Sequence, residues 1–182
     1  VGFAPARPSD HAFLISMLEG VEDIPGTALA EGLTWEWESF PEYLDAVASM
    51  PRTVDVASHV PHAALRTYVM GERGADHTAE PTEDELDRMG RLLGEALEAG
   101  GIGFATSRTE IHRTRDGANV GTLTAGEREL LTLAEAMRAS GRGVTQLISD
   151  CYLSTDEEFA AREVDLIEAF ARTSGRPLSF TV

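Results

Sequence analysis

The sequence predicts an α/β protein of the (β/α), TIM-barrel type, a partial barrel with about five parallel strands and four to five helices. Three observations carry that expectation. Apolar runs of strand length alternate with stretches of helical period about four times, and the chain closes on one more run with no helix after it. The runs are close to continuous in apolar residues, as strands covered on both faces are. The stretches between them are long enough to hold a helix, which makes the pairing parallel.

Taken in order, residues 1–4 read as the end of a strand. Pro5 and Pro8 flank a loop to Ser9 or Asp10, either of which can cap a short helix with Phe13, Leu14, Met17 and Leu18 on its apolar face. Residues 21–38 contain Pro25, Gly26, Gly32, Trp35 and Trp37 without a sustained period, an irregular excursion whose tryptophans cover the barrel rim or line a pocket. Ser39 caps a helix that runs to Met50, with Pro41 in its first turn. A strand over 54–60 ends at His59-Val-Pro-His62, and residues 71–81 form a connection. The next helix, over 82–99, is strongly marked: Thr82 and Glu85 have capping-box spacing, and Leu86, Met89, Leu92, Leu93, Ala96 and Leu97 recur at helical intervals. Gly100 and Gly101 stop it, and a strand over 101–105 opens into the polar run Thr106-Ser-Arg-Thr-Glu-Ile-His-Arg113. A long loop, a helix over 125–139, a strand over 144–149, a helix over 156–173 and a last strand over 178–182 complete the chain.

Composition narrows the function. The 182 residues, 42% hydrophobic, suffice for one domain with a sizeable core or for part of a larger barrel. Asp and Glu number 31 against 15 basic residues, all of them Arg, and the net charge of −16 argues against a nucleic-acid or anionic-membrane partner. Without Lys these residues can supply no Schiff base, no P-loop and no carbamylated-lysine metal bridge. The single cysteine, Cys151, excludes an internal disulfide and suggests a reducing, cytoplasmic setting. The start at Val1-Gly-Phe-Ala-Pro5 reads as a piece of a longer chain.

In (β/α) folds ligands meet the C-terminal ends of strands, so Thr106, Ser107, Arg108, His112 and Arg113 are the first site candidates. Arg108 and Arg113 suit two-pronged capture of a carboxylate, or else answer the abundant Asp and Glu. Ser107 lacks the Gly-x-Ser-x-Gly elbow, and no spacing marks His112 as its base. His59 and His62 can present two imidazoles to one metal or hydrogen-bond to neighbouring backbone. Together with His112 and Asp150 they match no self-sufficient zinc motif.

Glu22-Asp-Ile-Pro-Gly26, the run Glu31-Gly-Leu-x-Trp-x-Trp-Glu-Ser-Phe-Pro-Glu-Tyr-Leu-Asp45, His62-x-x-Leu-Arg66, Val69-Met-Gly71 and Gly103-Phe-x-Thr-Ser-Arg108 resemble the N-acyl-D-amino-acid deacylase branch of the amidohydrolase superfamily. The resemblance implies a zinc-dependent (β/α)₈ barrel that hydrolyses linear amides, with residues 1–182 as its central segment and the flanking strands and a small β-sandwich outside this chain. It implies an N-acyl amino acid substrate, with Arg108, Arg113, Ser107 and His112 as substrate-binding residues and His62 and His59 as metal candidates. Most of the family's metal ligands fall outside these residues, and the strand over 144–150, where the family often carries a metal-binding histidine, has Gln146 and Ser149 instead. The alternative is a non-catalytic or regulatory module that binds a small acid. Open barrel edges suggest a homo-oligomer.

Overall fold

Strands β1 (His59–Pro61), β2 (Gly103–Arg108), β3 (Val144–Ser149) and β4 (Leu178–Thr181) form one sheet in sequence order, each parallel to the next, in a computed structural model that describes residues 2–181. Seven helices accompany them: α1 (His11–Glu22), α2 (Gly26–Gly32), α3 (Phe40–Ser49), α4 (His62–Met70), α5 (Glu83–Ala99), α6 (Glu127–Ser140) and α7 (Glu157–Ser174). Parallel neighbours joined by helical crossovers are the expected α/β fold, a partial barrel of TIM type. Among the described residues, no helix is long and apolar enough to cross a membrane.

The helix starts follow from side-chain caps. The Thr82 hydroxyl accepts the Glu85 backbone N–H, and the Glu85 carboxylate accepts the Thr82 N–H, closing the box. Ser39 and Glu42 repeat the device at α3, where those backbone donors hold the Glu42 carboxyl below its ordinary range. Asp156 caps α7 through the N–H groups of Glu158 and Phe159. The apolar faces of α5 and α6 bring Met89, Leu93, Leu97, Leu130, Leu133 and Met137 to full or near-full burial against Val60, Phe104 and Phe170.

Several expectations need correction. The described residues hold four strands rather than five: Gly2, Phe3 and Ala4 form none, and Val1 lies outside them. The strand expected over 54–60 is reduced to His59–Pro61, because only three residues find a partner on β2, and Val54 and Val56 stand exposed. His62 does not end a strand but opens α4, a helix that the short run to Gly71 did not announce. A further helix, α2, lies inside the excursion read as irregular. Strand β2 starts two residues later than expected and continues through Thr106, Ser107 and Arg108, so these belong to the strand and not to a loop.

That extension decides which way each side chain points. Along a strand successive side chains face opposite sides, and paired residues in register face the same side. Ser107 is in register with Ile148, and Ile148 with Thr181; Ala105 is in register with Gln146, and Gln146 with Ser179. These residues share the open, concave face that lines the lumen side of the sheet. Phe104, Thr106 and Arg108 face the helices, as do Leu147 and Ser149.

Candidate active site

A cavity of about 270 Å³ opens on the lumen side, with Glu22, Ser107, His112, Gln146, Ile148 and Thr181 in its wall. Its centre is a pair. His112 comes from the loop after β2, which folds back until its Nδ1 lies 2.5 Å from the Ser107 Oγ. Three sets of contacts hold that loop. Asp150, at the end of β3, accepts the Thr109 hydroxyl and the Glu110 N–H at 2.7 Å. The Thr122 hydroxyl donates to the Ser107 carbonyl at 2.6 Å. Helix α1 lies against the loop so closely that a Cβ on Gly20 would stand 2.1 Å from the Arg113 carbonyl oxygen, and the Arg115 N–H donates to Ser16 at 2.9 Å.

Burial pushes the His112 imidazole below its ordinary pKa, with the Glu22 and Asp150 carboxylates pulling the other way. The ring is therefore neutral at pH 7, so one nitrogen donates and the other accepts. If Nδ1 carries the proton, it donates to Ser107 Oγ, the hydroxyl is free to donate into the cavity, and Nε2 accepts. If Nε2 carries it, the hydroxyl donates to Nδ1. In both tautomers the pair offers polar groups to the lumen.

The helix side carries two buried ionic networks. Arg108 grips Glu163 with two prongs, Nε to Oε2 at 2.9 Å and Nη2 to Oε1 at 2.5 Å, while Nη1 donates to the Ala125 carbonyl at 2.6 Å. Ser149 donates to the same carboxylate at 2.8 Å. In the second network Glu129 accepts His62 Nε2–H at 3.0 Å and Arg66 Nη1–H at 2.5 Å, and Thr106 Oγ1 lies 2.8 Å from His62 Nδ1. Burial lowers the His62 pKa, with Glu129 opposing, so the ring stays neutral and its Nδ1 accepts the Thr106 hydroxyl. Burial resists ionisation of Glu129, but His62 and Arg66 outweigh it and hold the carboxyl below its ordinary value.

The predicted site residues therefore separate. Ser107 and His112 come together on the lumen face. Arg108 is turned away from them, and the carboxylate it holds is the chain's own Glu163, with each of its three nitrogens engaged within the chain. Arg113 binds its own loop, donating to the carbonyls of Glu110 at 2.9 Å and Gly117 at 3.2 Å. His62 has both ring nitrogens engaged by protein, which leaves neither for a metal. His59 faces the lumen side but at the start of β1, in register with Gly103 and two rungs below the level of Ala105. Strand parity bears on Arg108 alone: once the strand is seen to run past 105, a residue next to Ser107 cannot share its face, whereas Arg113 lies beyond the strand in the loop. Glu22 opens one of the motifs that carry the family resemblance, but no spacing marked it as a cavity residue, and Glu129 and Glu163 look like ordinary members of acidic helices.

A zinc ion needs about three ligands from one side. Among the described residues no three His, Cys, Asp or Glu side chains converge, and of the two imidazoles on the lumen side His59 stands at the start of β1 while His112 is hydrogen-bonded to Ser107. These residues alone do not fit a zinc site.

Comparison with known proteins sets the geometry in context. The sequence profile of the amidohydrolase family matches residues 6–181. A Mycobacterium tuberculosis protein, itself uncharacterized, is 42% identical over 103 residues, 55% of this chain and 16% of its own length. A D-aminoacylase of Alcaligenes xylosoxydans xylosoxydans is 37% identical over 82 residues, 45% of this chain and 16% of its own. Among solved structures, the N-acyl-D-glutamate deacylase of Bordetella bronchiseptica, complexed with zinc and a phosphonate mimic of the reaction's tetrahedral intermediate, aligns over 78% of this chain and 26% of its own with a TM-score of 0.56 and 27% identity. The chain thus spans 16% of the length of these curated relatives.

Proposed function

The chain belongs to the amidohydrolase family, and from that premise we propose that it is the central barrel segment of a hydrolase that deacylates N-acyl amino acids, D-configured ones among them. The observation that supports this reading most directly is the Ser107–His112 pair at the C-terminal end of β2, on the lumen face where substrates of (β/α) barrels bind. In this reading Ser107 and His112 contact the scissile amide, and Gln146 and Thr181 complete the polar wall beside them.

The substrate's carboxylate is not assigned to Arg108 or Arg113, because both are committed within the chain. A zinc ion, as in the deacylase from Bordetella bronchiseptica, would polarise the amide carbonyl in the whole protein, held by residues outside these 182. Cys151, free and half-buried, suits a cytoplasmic protein.

Metal analysis of the full-length protein, paired with a screen of N-acyl D- and L-amino acids, tests the reading. Bound zinc and release of free amino acid are the expected results, with neither from residues 1–182 alone. Absence of turnover on every N-acyl amino acid by the metal-loaded full-length protein would overturn it.

A further inference from the structure

We propose that a depression just past the ends of β2 and β3 is the subsite for the substrate's acyl chain, and that Ile111, Leu153 and Phe159 set a preference for longer, apolar acyl groups. The proposal rests on the deacylase reading above and deepens it. The depression encloses about 500 Å³ and lies between the loop after β2, the turn after β3 and the first turns of α7. Its position follows from the register. Arg108 pairs with Ser149 on the last rung of the two strands, and the Thr109 hydroxyl and Glu110 N–H donate to Asp150 one residue further on, so the depression begins where the strands stop. Substrates of (β/α) barrels bind at that end. Ser107 and His112 line the lumen cavity while Glu110 and Ile111 line the depression, which makes one short loop the wall between the two.

The lining chooses the occupant. Its polar side chains are engaged within the chain: Asp150 accepts from Thr109 and Glu110, Asp156 from the N–H groups of Glu158 and Phe159, and Ser154 from the Asp156 N–H. Arg162 donates to the Glu158 carboxylate at 2.6 Å, and Glu110 pairs with Arg113 at 3.8 Å. What remains is apolar. Ile111 and Leu153 are 64% and 57% exposed among the described residues, and Phe159 is half-buried beside them, so a methylene chain laid there removes apolar surface from water on both partners. Charge decides which end of an N-acyl amino acid this is. Glu110, Asp150 and Asp156 stand in the wall against Arg162 alone, and Arg162 is shared with Glu158, so a carboxylate is repelled and an uncharged tail is not. Reach sets the length. Ile111 lies four residues after Ser107, which puts at most about 14 Å between them. From an amide held at Ser107, a chain of about ten carbons spans most of that distance, whereas an acetyl group extends only about 1.5 Å past the carbonyl carbon.

The test is acyl-chain selectivity in the full-length protein, read as the ratio of kcat/KM for the N-decanoyl over the N-acetyl derivative of one amino acid. The unmodified protein is expected to favour the decanoyl substrate. Leu153→Asp is expected to lower the ratio by on the order of tenfold, chiefly through KM of the decanoyl substrate. If that variant does not fold, Ile111→Asp reads the same ratio. Val164→Asp, at a similarly exposed position of α7 outside the depression, is expected to leave the ratio unchanged. A ratio that favours acetyl in the unmodified protein, that survives both substitutions in the depression, or that Val164→Asp lowers equally would overturn the subsite while leaving the deacylase reading in place. Failure of the unmodified protein to cleave any N-acyl amino acid would remove that reading and the subsite with it.

Discussion

Arg108 and Ser107 are neighbours in sequence and lie on opposite sides of a sheet, and the difference governs what a substitution at each does. Arg108 and Glu163 are 7% and 6% exposed, so removing the guanidinium strands a carboxylate that has no route to water. Arg108→Ala is expected to cost about 3–5 kcal/mol of stability, and Arg108→Met combined with Glu163→Leu much less, because the pair's own desolvation penalty disappears with it. Urea midpoints of the two variants check this, and a double variant as unstable as the single one would contradict it. Arg108→Lys is expected to lose one prong of the fork and to destabilise the fold rather than change substrate affinity alone. The sequence made Ser107 and His112 visible as polar residues at a strand end. It could not give their 2.5 Å contact, because that depends on how a loop anchored by Asp150 and Gly20 folds back.

Helices α4 and α6 are joined by the His62–Glu129–Arg66 network, which ties them to β2 through Thr106. The sign of its pH dependence follows from the two directions of shift. His62 resists protonation when folded but takes a proton near 6.5 when unfolded, so the unfolded chain binds more protons as pH falls and the fold loses stability below that value. Glu129, also held below its ordinary range, adds a loss in the same direction at lower pH. Denaturation midpoints are therefore expected to fall from pH 7.5 to about pH 5, and His62→Gln to flatten part of that slope. An unchanged slope in His62→Gln would assign the dependence to other histidines. Of these elements, α5 was fully legible, because a capping box, a helical apolar stripe and a terminal glycine pair all agree. Helix α4 was not, since its nine residues are nearly all buried and show no amphipathic alternation to read. Strand β1 was over-read because the alternation over 54–60 suggests pairing that only a neighbour of equal length could provide.

At the scale of the whole molecule, four parallel strands leave the outer rims of β1 and β4 without a strand partner among the described residues, and Phe180, Val164 and Leu153 stand 45%, 54% and 57% exposed. A polypeptide of residues 1–182 alone is expected to self-associate, with a light-scattering mass that rises with concentration. A constant monomer mass would indicate that these rims are closed in some other way. The expected fold class followed from alternation and crossover length, quantities that survive errors in single strands, which is why it held while the strand count did not. The division of the sheet into two faces has an evolutionary consequence. Side chains that stabilise the protein, Phe104, Thr106, Arg108, Leu147 and Ser149, and side chains that meet the lumen, Ala105, Ser107, Gln146 and Ile148, alternate along the same two strands without sharing neighbours. The cavity wall can therefore vary at every second position while the intervening positions keep the chain folded, so that diversity in a library restricted to Ala105, Gln146 and Ile148 would be sampled at little cost in the fraction of members that fold.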